Sequence, residues 1–127
     1  MNTNEAISVV RVRNVLLVTM PADPDDSTIT DLQARTLDAM SSQDVRGLVL
    51  DLSRVEILDS YFARTVSETA QMVSLMGGNT IIAGMRPSVA ITATELGVTL
   101  GRTRTVMTVD RALDLAGQAP PRGKLQR

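Results

Sequence analysis

Gly47-Leu-Val-Leu-Asp-Leu52 is a continuous apolar run with none of the alternation that a half-exposed strand shows. A run of this kind belongs to a strand covered on both faces, as in a parallel sheet flanked by helices. The neighbouring sequence supplies those helices. From Ser27 to Met40, Ile29, Leu32, Thr36, Leu37 and Met40 recur at the spacing of one buried helix face. From Ile57-Leu58-Asp59-Ser60 to about Met76 a second helix is predicted. It turns Phe62, Val66, Thr69, Ala70 and Val73 inward and Arg64, Ser67, Glu68, Gln71 and Ser74 to water. Gly77-Gly78 ends it, since glycine enters the left-handed cap conformation at little cost.

The remaining elements follow the same logic. Ser8 to Val12 and Val15 to Met20 read as two strands joined at Arg13-Asn14, where Asn tolerates turn conformations. Thr80 to Ala83 is a further strand. Gly84-Met85-Arg86-Pro87 turns the chain, with Pro87 placed as a first helical residue. The short helix it opens runs to about Leu96 and stops at Gly97. Thr105 to Val109 is the last strand, and Arg111 to Ala116 a closing helix. The order is β-β-α-β-α-β-α-β-α. Strands joined by helices run parallel through right-handed crossovers, so the fold class is α/β, a mixed, mostly parallel sheet with an antiparallel N-terminal edge strand. One domain is expected over residues 6–117, with a loose tail over 118–127 that contains two prolines and almost nothing apolar.

Absences narrow the chemistry. The chain has no Cys and no His, which removes disulfides, thiol nucleophiles, Cys/His zinc sites and every triad with an imidazole base. Tyr61 and Phe62 are its only aromatics, too few for stacking platforms. Thirteen basic residues against fourteen acidic ones give a net charge of -1, so no nucleic-acid partner is expected. The apolar runs are far short of a membrane span, and the N-terminus lacks the regions of a secretory signal. A cytoplasmic protein without a membrane partner is the expectation.

In a parallel sheet the strand-to-helix loops gather at the carboxyl edge, where binding sites lie. Three loops should meet there: Pro24-Asp25-Asp26-Ser27, Leu58-Asp59-Ser60-Tyr61 and Gly84-Met85-Arg86-Pro87. Each opens a helix and so presents backbone donors to the rim. Ser60 has two compatible readings, a helix N-cap or an exposed phosphoacceptor. Adjacent residues at a helix start point about 100° apart, so Phe62 should enter the core while Tyr61 stays exposed at a partner interface. Asp59 as a base for a Ser60 nucleophile lacks an assisting imidazole. Asp23, Asp25 and Asp26 lack the Gly and distal Glu of a calcium loop, and favourable charge at a helix start explains them more simply. No metal or other cofactor is expected.

The runs Val49-Leu-Asp-Leu-Ser53, Ile57-Leu-Asp-Ser60, Leu75-Met-Gly-Gly78, Ala83-Gly-Met-Arg-Pro87 and Glu95-Leu-Gly-Val98 together resemble a STAS domain, the fold of anti-sigma factor antagonists. The resemblance spans about residues 6–117. Short single-domain antagonists of this family carry Asp-Ser followed closely by Gly, whereas Tyr61-Phe62-Ala63 follows here. With Gly84-Met85-Arg86-Pro87 and Asp25-Asp26, this is closer to the scaffold antagonists of stressosomes, the RsbS type. The larger co-antagonists add an N-terminal sensor domain that 127 residues do not hold, and tend to carry Thr in place of Ser60.

The resemblance implies a non-enzymatic regulatory scaffold. Ser60 sits at the family's phosphorylated serine, with Asp59, Tyr61, Asp25, Asp26 and Arg86 as partner-binding residues. Thr92 and Thr94 fall near a second phosphosite used by co-antagonists. The implied partners are a serine/threonine switch kinase, a sensor co-antagonist with its own STAS domain and a resetting phosphatase, within a large hetero-oligomer. ATP and Mg²⁺ belong to the kinase. Two alternatives stay open, a single-domain antagonist that binds an anti-sigma factor directly and an enzyme using Asp59 and Ser60.

Overall fold

A computed structural model describes residues 7–42, 45–97 and 103–118. The elements are β1 (Ser8–Val12), β2 (Val15–Thr19), α1 (Asp26–Ser42), β3 (Gly47–Asp51), α2 (Ser60–Leu75), β4 (Asn79–Ala83), α3 (Pro87–Glu95), β5 (Arg104–Val106) and α4 (Val109–Ala116). The strands form one sheet in the order β1-β2-β3-β4-β5, antiparallel between the first two and parallel from there on. Both the element order and the mixed sheet match the expectation from sequence.

The crossovers explain the layers. Each right-handed connection from β2 to β5 steps the same way across the sheet, so α1, α2 and α3 lie over one face. Leu16, Val18, Leu48, Leu50 and Ile82 meet them there in the larger core. The helix α4 follows the last strand and takes the other face, where Ala112 and Ala116 pack on Val15, Val49, Ile81 and Ala83. Central β3 is covered on both sides, and Leu48, Val49 and Leu50 are each at most 1% exposed. The small residues of α4 let it approach closely. A Cβ on Gly47 would stand 2.3 Å from the Ala116 carbonyl oxygen, a backbone atom that cannot swing aside.

Three local features depart from the sequence reading. The strand expected over Thr105 to Val109 spans Arg104–Val106, and the final helix starts at Val109 instead of Arg111. Thr108 is the reason: its hydroxyl accepts the Arg111 N–H at 3.2 Å, a cap that recruits Val109 into the helix beside Ala112. In the first hairpin the left-handed residue is Arg13 (φ 56), not Asn14. The Asn14 carbonyl instead accepts from the Arg46 N–H at 2.7 Å, tying the hairpin to the start of β3. Gln118 is held by Asn79, whose side-chain amide donates to its carbonyl at 2.9 Å. The rest of the expected tail, 119–127, lies outside the described residues.

Candidate functional site

The carboxyl ends of β2, β3 and β4 are in register, Thr19 beside Asp51 and Asp51 beside Ala83. The three loops that leave them are stitched to one another. The Glu56 N–H donates to the Ala22 carbonyl at 2.8 Å, which joins the first loop to the second. Arg86 joins the second to the third, donating from Nε to the Ser53 carbonyl at 2.9 Å and lying 3.9 Å from the Glu56 carboxylate. Gly84 makes this approach possible: it sits at φ +72, and a Cβ there would come 3.0 Å from the Ser53 Cβ. The rim expected from sequence is therefore one continuous surface.

The candidate side chains of the three loops each have a definite place on it. Asp25 precedes α1, where its Oδ1 accepts from the Thr28 N–H at 2.9 Å and the Ser27 hydroxyl at 3.0 Å. The Thr28 N–H is the main cause that holds this carboxyl below its ordinary range. Asp26 is exposed in the first turn of α1. Asp59 is the N-cap of α2, its carboxylate accepting from the Phe62 N–H at 2.8 Å. The capping role open to Ser60 thus falls to its neighbour. Ser60 is the first helical residue and is exposed.

Phe62 enters the core at 1% exposure, as expected. Tyr61 does not stand clear of the surface. Its ring is half-buried against the larger core, and its hydroxyl is hydrogen-bonded to Thr30 of α1. Thr92 and Thr94 lie in the second half of α3. Their hydroxyls donate back to the Ser88 and Ala90 carbonyls at 3.1 Å each, and no hydrogen bond among the described residues joins them to the rim. The link from Arg86 through Ser53 and Glu56 was invisible in the sequence, because it spans thirty-odd residues and Glu56 has no local pattern. The Asp59 cap could have been found: Asp ranks with Ser as an N-cap, so the pair Asp59-Ser60 left the helix start ambiguous by one residue.

A family model for STAS domains matches residues 6–112, almost the whole chain. The chain belongs to the STAS domain family. Among curated STAS relatives, the RsbT co-antagonist protein RsbRB of Bacillus subtilis (strain 168) is 28% identical over 86 residues, 68% of this chain. The chain spans only 31% of that relative's length. A serine-to-glutamate variant of RsbS from Moorella thermoacetica superposes with a TM-score of 0.76 at 25% identity, covering 87% of this chain and 93% of that one. A chain from the stressosome, described as a signal integration and transduction hub, gives 0.74 at 27% identity, covering 86% of this chain and 95% of that one. Within the STAS family the chain is similar to RsbS and to the stressosome chain over nearly their full lengths. Among its described residues no helix is long and apolar enough to cross a membrane.

Proposed function

We propose that this STAS domain, residues 6–117, is a non-enzymatic scaffold antagonist of a stressosome-like assembly in the cytoplasm. Unphosphorylated, it assembles with sensor co-antagonists and holds a serine/threonine switch kinase at the rim formed by Asp25, Asp26, Asp59, Tyr61 and Arg86. The kinase then transfers the γ-phosphoryl group of ATP to the Ser60 oxygen, with loss of the hydroxyl proton and release of ADP, and departs. A phosphatase hydrolyses the ester and resets the serine. Thr92 and Thr94 are secondary acceptors at most, since both hydroxyls already serve the α3 backbone.

The observation that carries this reading is the division of labour between Asp59 and Ser60. The carboxylate caps α2, so the exposed serine beside it is free to change its chemistry without uncapping the helix. A phosphoserine adds about -1.5 to -2 charges, which the positive end of a helix accepts. At the rim the same dianion sits beside Asp59 and a half-buried Tyr61, where juxtaposed like charges across an interface cost several kcal/mol. A loss of about 2.8 kcal/mol weakens binding roughly a hundredfold, enough to release a partner.

The test is co-purification from the host before and after stress, with peptide mass spectrometry of the recovered chain. The reading expects a particle of megadalton size containing a STAS co-antagonist and a kinase, with phosphate on Ser60 after stress. Ser60→Ala should retain the kinase through stress, and Ser60→Asp should recover little of it. Recovery of a small binary complex with an anti-sigma factor would instead mark a directly acting antagonist. Stress without phosphate at Ser60 would remove the switch.

A further inference from the structure

Four residues after Ser60, on the same side of α2, stands Arg64. It is exposed, and no ion pair among the described residues involves it. Side chains four apart on a helix are neighbours, with Cβ atoms about 5–6 Å apart. The first turn of α2 has a particular pattern of used and unused donors. Asp59 takes the Phe62 N–H with its carboxylate at 2.8 Å and the Ala63 N–H with its carbonyl at 3.0 Å. An α-helix leaves its first amides without intrahelical acceptors, so those of Ser60 and Tyr61 remain for whatever is placed at this end.

A phosphoryl group on Ser60 would bring three acceptor oxygens to these two amides and to the guanidinium fork of Arg64. The alternative partner for Arg64 on the same face is Glu68, again four residues on. The direction of the pair decides between them. An acidic group N-terminal to its basic partner is the more favourable order on a helix, and it describes residues 60 and 64 but not Arg64 and Glu68. The phosphate also carries more charge than a carboxylate and lies at the end of the helix that favours anions.

We propose that Arg64 is the positioning residue for a phosphoryl group on Ser60. Its guanidinium turns back one helical turn and clasps the phosphate against α2. Modification then cancels an exposed cation of the docking face while it adds an anion to it. This inference rests on the reading of Ser60 as the phosphoacceptor and specifies how the modified state is held.

The test uses full-length chain carrying genetically encoded phosphoserine at position 60, so it needs no kinase. The phosphate is titrated by phosphorus NMR in the parent, Arg64→Gln, Arg64→Lys and Arg54→Gln, all on the phosphoserine background. A nearby cation favours the dianion, so the second phosphate pKa, ordinarily about 6, should be lowered in the parent. Arg64→Gln should raise it by about half a unit, the size an exposed ion pair produces. Arg64→Lys should keep most of the lowering, Arg54→Gln should leave it alone, and added salt should shrink it. Identical titration curves for the parent and Arg64→Gln would overturn the clasp, as would an equal shift in Arg54→Gln. Failure of host kinases to label Ser60 is a different outcome: it would strike the proposed function and leave the measured contact standing.

Discussion

The Asp59 carboxylate receives the Phe62 N–H at 2.8 Å and thereby caps α2 from the residue just before the exposed Ser60. This single bond separates two roles that the dipeptide could have combined. The same Phe62 is a fully buried anchor of the larger core, so the cap also fixes where that anchor enters.

Asp59→Ala should therefore lower stability by about 1 kcal/mol, the usual effect of removing an N-cap. For a domain of this size that is a fall of about 4 °C in Tm. Ser60→Ala should leave Tm within about 2 °C, because surface positions without a cap contribute little. Thermal melts followed by circular dichroism compare the two directly, and equal losses would mean that Ser60 shares the cap.

Tyr61 carries part of its weight inside the fold. Tyr61→Phe removes only the hydrogen bond to Thr30 and should cost about 0.5–1.5 kcal/mol. Tyr61→Ala also gives up the half-buried ring and should cost more, about 2 kcal/mol. Denaturant midpoints measure both. A Tyr61→Ala protein as stable as the parent would show that the ring contributes nothing to the core, and would restore the view of Tyr61 as a purely external anchor.

Gly47→Ala tests the seat of α4. The added Cβ meets the Ala116 carbonyl oxygen at 2.3 Å, so α4 has to move off β3. Overpacking of this kind costs about 1–3 kcal/mol. Gly77→Ala is the contrast: nothing lies within 4 Å, and only its φ of +89 opposes the change. Hydrogen exchange should show amides of α4 losing protection selectively in Gly47→Ala. Uniform loss across the sheet would point to global strain instead.

Acid should weaken the start of α1 through Asp25. Its folded pKa lies below the ordinary value of 3.8, principally because the Thr28 N–H bonds to the ionised form. A depressed carboxyl stabilises the fold above its unfolded pKa, and that contribution disappears as pH falls through the folded value. The parent should thus exceed Asp25→Ala in stability at neutral pH, and part of that margin should vanish below about pH 3.8. Urea midpoints across pH 2.5–7 (roughly the window in which acid denaturation develops) provide the comparison. A margin that grows on acidification would contradict this assignment.

The alternation of apolar runs and helical periods by itself determined the element order, the parallel sheet and most of the core. Those features rest on hydrophobic burial and crossover handedness, which act on every residue of a run and so survive small errors at its ends. Leu48, Val49 and Leu50 needed no structure to be recognised as central. The element boundaries and the state of each rim residue were decided by tertiary structure. Whether Asp59 or Ser60 caps α2, and whether Thr108 closes β5 or opens α4, turns on single hydrogen bonds between groups of nearly equal propensity. Tyr61 is drawn half into the fold because α1 lies within reach and offers Thr30. Arg86 binds Ser53 and Glu56 because Gly84 lets two loops, distant in sequence, come close. Such contacts depend on where separate elements land relative to one another, and local sequence carries no record of that distance.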